Sequence, residues 1–459
     1  MTTVTPQGLV EHALATTRSE QCVVIVQDST SANLRWANNT LTTNGVMHGI
    51  GVTVIAFQGA GNASVSGTAA STEQVTALVE QADAGARVAE EAEDRATLVS
   101  GPAAADWAEP PAETSVEVFR GFARALGEEF ERADAERRIL YGFVNHEMTT
   151  TYLGSSTGLR LRHTQPTGHY GCTGKTADLS GSAWVGGATR DFSDVSAESI
   201  AADLTTRLSW GARRLELPAG RYDTVLPPTA VADLMIDAYW SAGARVAHEG
   251  QTVYSRPGGG TRIGEQLVDA GVTLYSDPAY PGLECAPFVV ASGSSNESSV
   301  YDNGLPLART PWIGKGALAS LIQTRHTAEV TGQPTTPGVD NLVLQVDGGS
   351  GTDIDLLAGI DDGLLLTCLW YIREVDPQTL LLTGLTRDGV YRVEGGEITG
   401  VVNNFRFNES PIDLLRRFTA AGETVPSFSR EWGDDYFSRT ATPALRIPDF
   451  NMSSVSQAL

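Results

Sequence analysis

Basic side chains are scarce in this chain: 32 Lys and Arg stand against 55 Asp and Glu, for a net charge of −23. Nucleic acids need a basic face, so this balance argues against a nucleic-acid partner. It disfavours an anionic membrane surface for the same reason. Long apolar runs are missing too. None reaches the roughly 18–20 residues of a spanning helix. The first residues, MTTVTPQGLVEHALATT, carry neither the basic region nor the apolar core of a secretory signal. Cysteine is limited to Cys22, Cys172, Cys285 and Cys368, far apart and without a CxxC pair. A cytoplasmic protein with reduced thiols is the expectation.

Histidine pairs suited to a metal are also absent. A catalytic zinc takes three protein ligands, and a helix supplies two when His residues stand four or five apart. His146-Glu147 precedes Met-Thr-Thr-Thr on an expected strand, and His248-Glu249 precedes Gly-Gln-Thr-Val. Neither has a second His within a turn. His163 and His169 flank Pro166 and Gly168, a stretch that reads as a loop. All four read as solvated or hydrogen-bonded side chains. Cys172, with His169 and Lys175 nearby, and Cys285 are the candidate nucleophiles. No separated His and Asn pattern completes a triad around either. Cys22 and Cys368 lie in apolar strands and read as core. RPGGGTRIGE and VDGGSGTD match neither GxGxxG nor GxxxxGK[ST] and read as turns.

What the chain has is length and glycine. Its 459 residues are too many for one core, and 48 glycines fit a fold rich in turns and strands. A helix is expected over 6–17, then the strand QCVVIVQD and a meander. The meander has turns at Asn38–Asn39 and near Gly49, with Gly45 and Gly51 as further turn or bulge residues, and the strand Val52–Phe57. Helices follow over 71–93, capped near Ser71, and over 115–138. The Pro/Ala-rich stretch Ser100–Glu113 reads as a linker. From Ile139, short strands with glycine turns lead to a helix at 196–214. The order helix, strands, helix occurs twice, and NLRWANNT and TTYLGSST each place a small polar turn after a short strand. This predicts an α+β fold: N-terminal mixed α/β units, with helices packed on antiparallel strands, over 1–110 and 111–218. A strand-rich C-terminal domain with one long central helix covers 219–459.

That central helix is expected over Leu226–Glu249, LPPTAVADLMIDAYWSAGARVAHE. Pro227 and Pro228 close the preceding strand, and Thr229 is placed to cap. Val231, Leu234, Met235, Ala238 and Ala242 form one apolar face. Beyond it, Thr352 and Asp355 form a capping-box pattern. Strands are expected at Leu364–Ile372, Leu380–Leu385, Val390–Val393 and Ile398–Val402, with a last helix at 408–420 and a last strand in TPALRIPDF.

Residues 363–415, GLLLTCLWYIREVDPQTLLLTGLTRDGVYRVEGGEITGVVNNFRFNESPIDLL, resemble the TldD/PmbA family of metallopeptidases. RIGEQLVDAGVTLYSDP, YDNGLPLARTPWIGKGALASLIQTRHTA and the N-terminal RWANNTLTTNGVMHGIGVTVIAF add to the likeness. The resemblance implies a protease of two unlike subunits. The TldD-type subunit carries HExxxH on a helix of its C-terminal domain, with a late Cys ligand; two His bind the metal and the Glu activates water. The TldE (PmbA) subunit lacks them. Laid on Leu226–Glu249, the motif window falls on Ile236 to Ser241. Ile236 and Ser241 stand at the two His positions, Asp237 stands at the Glu position, and no cysteine lies beyond Cys368. The resemblance therefore implies a TldE-like, metal-free subunit of a heterodimer. Zinc is expected on the TldD-type partner, with a peptide or unfolded protein as substrate. Two alternatives remain: a peptidase using Cys172, Cys285 or unforeseen metal ligands, and a non-enzymatic binding scaffold.

Overall fold

The computed structural model describes residues 4–433, 437 and 439–456. Its N-terminal half is built twice over. The first unit runs α1 (Pro6–Thr16), β1 (Gln21–Ala37), β2 (Thr40–Gln58), β3 (Gly61–Thr68) and α2 (Thr72–Val88). The second runs α3 (Arg120–Ala135), β4 (Arg138–Ser155), β5 (Arg160–Thr176), β6 (Ser182–Thr189) and α4 (Ala197–Ser209). The strand order is β3-β2-β1-β4-β5-β6. β1 and β4 pair antiparallel at the centre, from Val23↔Ser155 to Trp36↔Gly142. The stretches over 1–110 and 111–218 thus meet in one continuous sheet. Asn38 and Asn39, at φ 51° and 56°, turn β1 into β2, and residues 156–159 make the matching turn from β4 into β5.

Alternation along β1 assigns its two faces. Val24 and Val26 pack with Leu9, Val75 and Val79 under α1 and α2. Leu34 and Trp36, on the same face, pack with Phe122, Leu126 and Leu204 under α3 and α4. Val23 and Ile25 point the other way, onto Phe288, Val300 and Tyr301 of the C-terminal half. All four helices therefore cover one face and the C-terminal half covers part of the other. The expected linker is packed rather than loose: Trp107 stands edge-on to Tyr152, whose hydroxyl donates to the Glu109 carbonyl.

The glycines mislead in two places. Gly45, Gly49 and Gly51 lie inside β2 rather than at turns, because β2 pairs with β1 along its whole length. Gly168, Gly171 and Gly174 likewise lie inside β5, held between β4 and β6. His163 and His169 are consequently on a strand, not in a loop. Their six-residue spacing places them on the same face of β5.

The C-terminal half begins with β7 (Arg214–Leu215) and β8 (Gly220–Leu226), followed by α5 (Pro228–Trp240) and α6 (Ala244–His248). β8 lies in a ten-stranded sheet, antiparallel to the strand Leu445–Val455 and parallel to Asp362–Leu366. A six-stranded sheet contains Val272–Ser276 and Leu342–Val346. α5 joins the two in one core. Leu234, Met235 and Ile236 share a cluster with Leu274 and Leu344 of the smaller sheet and Leu366, Phe407 and Ile447 of the larger. Each such buried aliphatic side chain contributes about 1.5–3 kcal/mol. A helix apolar on nearly all sides is a buried helix, which is why α5 sits at the centre. The Thr352/Asp355 capping box is formed. The strand expected at Leu364–Ile372 breaks at Thr367, whose amide turns to the Gly389 carbonyl.

The long helix is interrupted. Its first residue is Pro228, with a fixed φ suited to that position, and Thr229 makes no cap. It ends at Trp240 because residues 242–244 bond elsewhere. The Ile322 amide donates to the Ala242 carbonyl, and the Ala244 amide donates to the Ile322 carbonyl. This crossing segment converts the expected single helix into α5, a turn and α6.

Candidate functional site at helix α5

Two carboxylates, one turn apart, mark the only polar stripe of α5. Asp233 is fully buried. Its Oδ1 accepts from the Ser429 hydroxyl at 2.6 Å and from the Glu431 amide at 3.0 Å. Its Oδ2 is buried with no hydrogen-bond partner among the described residues. Burial pushes its carboxyl up to about 7, partly offset by those two donors. Asp237 is also pushed up to about 7, chiefly by burial. Its Oδ2 accepts from the Trp432 indole at 3.3 Å.

The segment Phe428–Gly433 covers this stripe and is tied down at nearly every residue. Ser429 also accepts from the Trp432 amide. Glu431 Oε1 accepts from the Ile372 amide at 3.1 Å and lies 3.5 Å from the Arg373 guanidinium. The Glu431 carboxyl is itself raised, mainly by burial. Arg430 lies between two indoles, 3.8 Å from the Trp370 ring centre and 4.9 Å from that of Trp184. Phe428 stacks on His169 at 5.8 Å. Trp184 and His169 belong to the N-terminal sheet, so one short segment joins both halves of the molecule at α5.

Past Trp432 the helix end opens on a wide depression of about 700 Å³. Asp237, Trp240, Ser241, Glu374 and Asp376 line it. The Glu374 carboxyl is raised by burial and by Asp376.

The residues singled out from sequence fall as follows. Ile236 is fully buried in the core and has no donor atom to offer. The Ser241 hydroxyl donates to the Asp237 carbonyl of its own helix at 2.9 Å. Asp237 is therefore the one carboxylate of the window, and this donor set does not fit a zinc centre. His146 is held by Thr114 and the Arg190 carbonyl. Cys172 and Cys285 are buried, and burial pushes both thiols up to about 12. A neutral thiol is a poor nucleophile, so neither burial site favours a cysteine mechanism. Cys172 also points to the opposite face of β5 from His169. Gly258, Gly259 and Gly260 all have positive φ, as do Gly348 and Gly351, so both glycine-rich stretches are turns.

Asp233, Ser429, Glu431 and Trp432 join the site only in the structure. One signal was available: Asp233 breaks the otherwise apolar run AVADLMI four residues before Asp237. The other three lie about 200 residues away in sequence, and nothing local ties them to α5.

These features define an α+β protein organised around a buried helix that carries two buried carboxylates. Residues 219–454 match the family model described as PmbA/TldA metallopeptidase C-terminal domain, and residues 22–94 match PmbA/TldA metallopeptidase domain 1. The chain belongs to the PmbA/TldD family. Its fold is that of TldE from Thermococcus kodakarensis, with a TM-score of 0.75 at 15% identity over 97% of this chain and 99% of that one. A proposed modulator of a DNA gyrase from Thermotoga maritima is similar at TM-score 0.77 and 17% identity, covering 97% and 99%. A counterpart from Bacteroides thetaiotaomicron, described in the same way, gives 0.73 and 15% over 98% of both chains. No curated protein sequence matches significantly. Among the described residues, no helix is long and apolar enough to cross a membrane.

Proposed function

We propose that this chain is the metal-free, non-catalytic subunit of a cytoplasmic TldD/TldE-type metallopeptidase complex acting on peptides or unfolded proteins. The observation that carries this reading is the donor set of α5. Where the active family members place two imidazoles, this chain has a core isoleucine and a serine spent on its own helix. The late segment that reaches α5 presents the Ser429 hydroxyl to Asp233, not a thiolate. Zinc belongs to an HExxxH-bearing partner, which supplies the water chemistry. This chain completes the cleft and holds substrate.

The test is metal analysis of the purified chain, alone and mixed with an HExxxH-bearing relative, together with the size of the mixture. Zinc in the mixed complex, absent from this chain alone, and a heterodimer are expected. Stoichiometric zinc on the isolated chain, or a stable homo-oligomer indifferent to the partner, overturns the proposal.

A further inference from the structure

The C-terminal end of α5 borders a cavity of about 410 Å³. Its other walls come from two stretches of the C-terminal half, the loop 286–299 and the segment 337–340. Most of the lining side chains are apolar, with Trp240, Phe288, Val290, Ile322 and Phe437 among them. A cavity of that size and character is the kind that holds a small molecule.

Two of its polar side chains are already spent. The Tyr239 hydroxyl donates to the Val339 carbonyl at 2.9 Å and accepts from the Val339 amide at 2.7 Å. Asp302 accepts from the Arg325 guanidinium at 2.6 Å. Glu297 is different: burial alone raises its carboxyl, and no cation or hydrogen-bond donor among the described residues offsets it. The residue lies on an exposed loop, but its carboxyl group rests against Gly243. A Cβ at that position would stand 2.5 Å from Oε1, so the glycine is what leaves the carboxylate its place.

Three independent features favour a positive charge here. The first is the Glu297 carboxylate itself. Exposed Asp340 adds a second negative charge, and no Lys, Arg or His lines the wall to neutralise either. The second is α5, which runs for 13 residues and ends at Trp240. Its carbonyl end, the negative pole of the helix, therefore stands at the cavity. The third is the Trp240 indole, 37% exposed, because indole is the side chain that best attracts a cation. A metal ion needs several oxygen or nitrogen ligands, and no group of three or more His, Cys, Asp or Glu among the described residues could hold one. An ammonium group needs only a counter-charge and an aromatic surface.

We propose that this cavity binds an ammonium group carried on an apolar body, with Glu297 as counter-ion and Trp240 beside it. A free aryl-alkyl amine and the lysine side chain of another protein present the same chemistry. The site is independent of the peptidase reading above.

The experiment titrates the full chain with phenethylamine at neutral pH by isothermal calorimetry. Saturable binding is expected. Phenethyl alcohol, with the same body and no charge, should bind at least about tenfold more weakly. Glu297→Gln should weaken the amine to a similar degree and leave the alcohol unchanged, with circular dichroism verifying its fold. Gly243→Ala, whose methyl displaces the carboxyl group, should also weaken the amine. Tighter binding of Nα-acetyl-lysine methylamide than of phenethylamine identifies a protein side chain as the source, and the reverse identifies a free amine. Equal affinity for amine and alcohol overturns the proposal, as does equal affinity of the parent and Glu297→Gln, or absence of saturable binding to the folded chain. An equal loss with Glu374→Gln also overturns it, because the amine would then sit in the wider depression that Trp240 borders as well. The lone chain is measured without metal or partner, so either proposal can fail without the other.

Discussion

The Ser429 hydroxyl donates to Asp233 Oδ1 at 2.6 Å across 196 residues of sequence. The acceptor is a fully buried acid whose second oxygen has no hydrogen-bond partner among the described residues. Removing the hydroxyl leaves a buried carboxyl with one donor fewer. Ser429→Ala should cost about 1–3 kcal/mol, measured by urea unfolding at pH 6. An effect below a few tenths would mean that the covering segment is held by its aromatic contacts alone.

Asp233 and Asp237 also set a pH dependence. Both titrate near 7 in the fold against 3.8 for an ordinary aspartate. Between those values the folded chain holds protons that the unfolded chain has released. Their contribution to stability is therefore lost as pH rises from about 4 to about 7, and it levels off above. The doubly substituted Asp233→Asn, Asp237→Asn chain should show a flatter melting profile over that range. A profile identical to that of the parent chain would refute the assignment.

In the proposed reading Asp237 occupies the general-base position of the family motif, and its carboxyl accepts from the Trp432 indole. Asp237→Asn should leave kcat/KM of the complex with an HExxxH-bearing partner within about twofold. A loss of tenfold or more, about 1.4 kcal/mol in the barrier, would make Asp237 part of the chemistry.

The four thiols are buried, and burial pushes each up to about 12. An Ellman titration of the native chain at pH 8 should detect none of them, and all four should react in guanidinium. A rapidly reacting thiol at Cys172 or Cys285 would reopen a cysteine mechanism.

Arg430 between Trp184 and Trp370 links the N-terminal sheet to the segment over α5. Arg430→Ala should cost about 0.5–2 kcal/mol, with Arg430→Lys retaining part of that. Denaturant titration followed by tryptophan fluorescence reads both. Equal loss for Ala and Lys would show that guanidinium stacking, rather than charge, is the interaction.

Elements fixed by neighbours in sequence were legible in the sequence. The Asn38–Asn39 turn needs only two residues tolerant of positive φ, and the Thr352 capping box needs only a four-residue pattern. The order helix, strands, helix exposed the repeat. Contacts made at long range were not legible. Gly45 and Gly168 look like turns until their ladder partners are known. The break at 241–243 comes from Ile322, some eighty residues downstream. Of the residues around α5, the sequence points to Ile236, Asp237 and Ser241, through the resemblance alone. Ser429 and Trp432 reach α5 only through the fold, and the cavity at the end of α5 is assembled from residues as far apart as Tyr239 and Phe437.

The distance in sequence between α5 and its cover has a consequence for biosynthesis. At 5–20 residues per second, the 196 residues separating Asp233 from Ser429 take roughly 10–40 s to synthesise. For that interval the most apolar helix of the C-terminal half exists without the segment that covers it. Recruitment of a chaperone to this nascent chain should peak in that window and fall once Trp432 has left the ribosome.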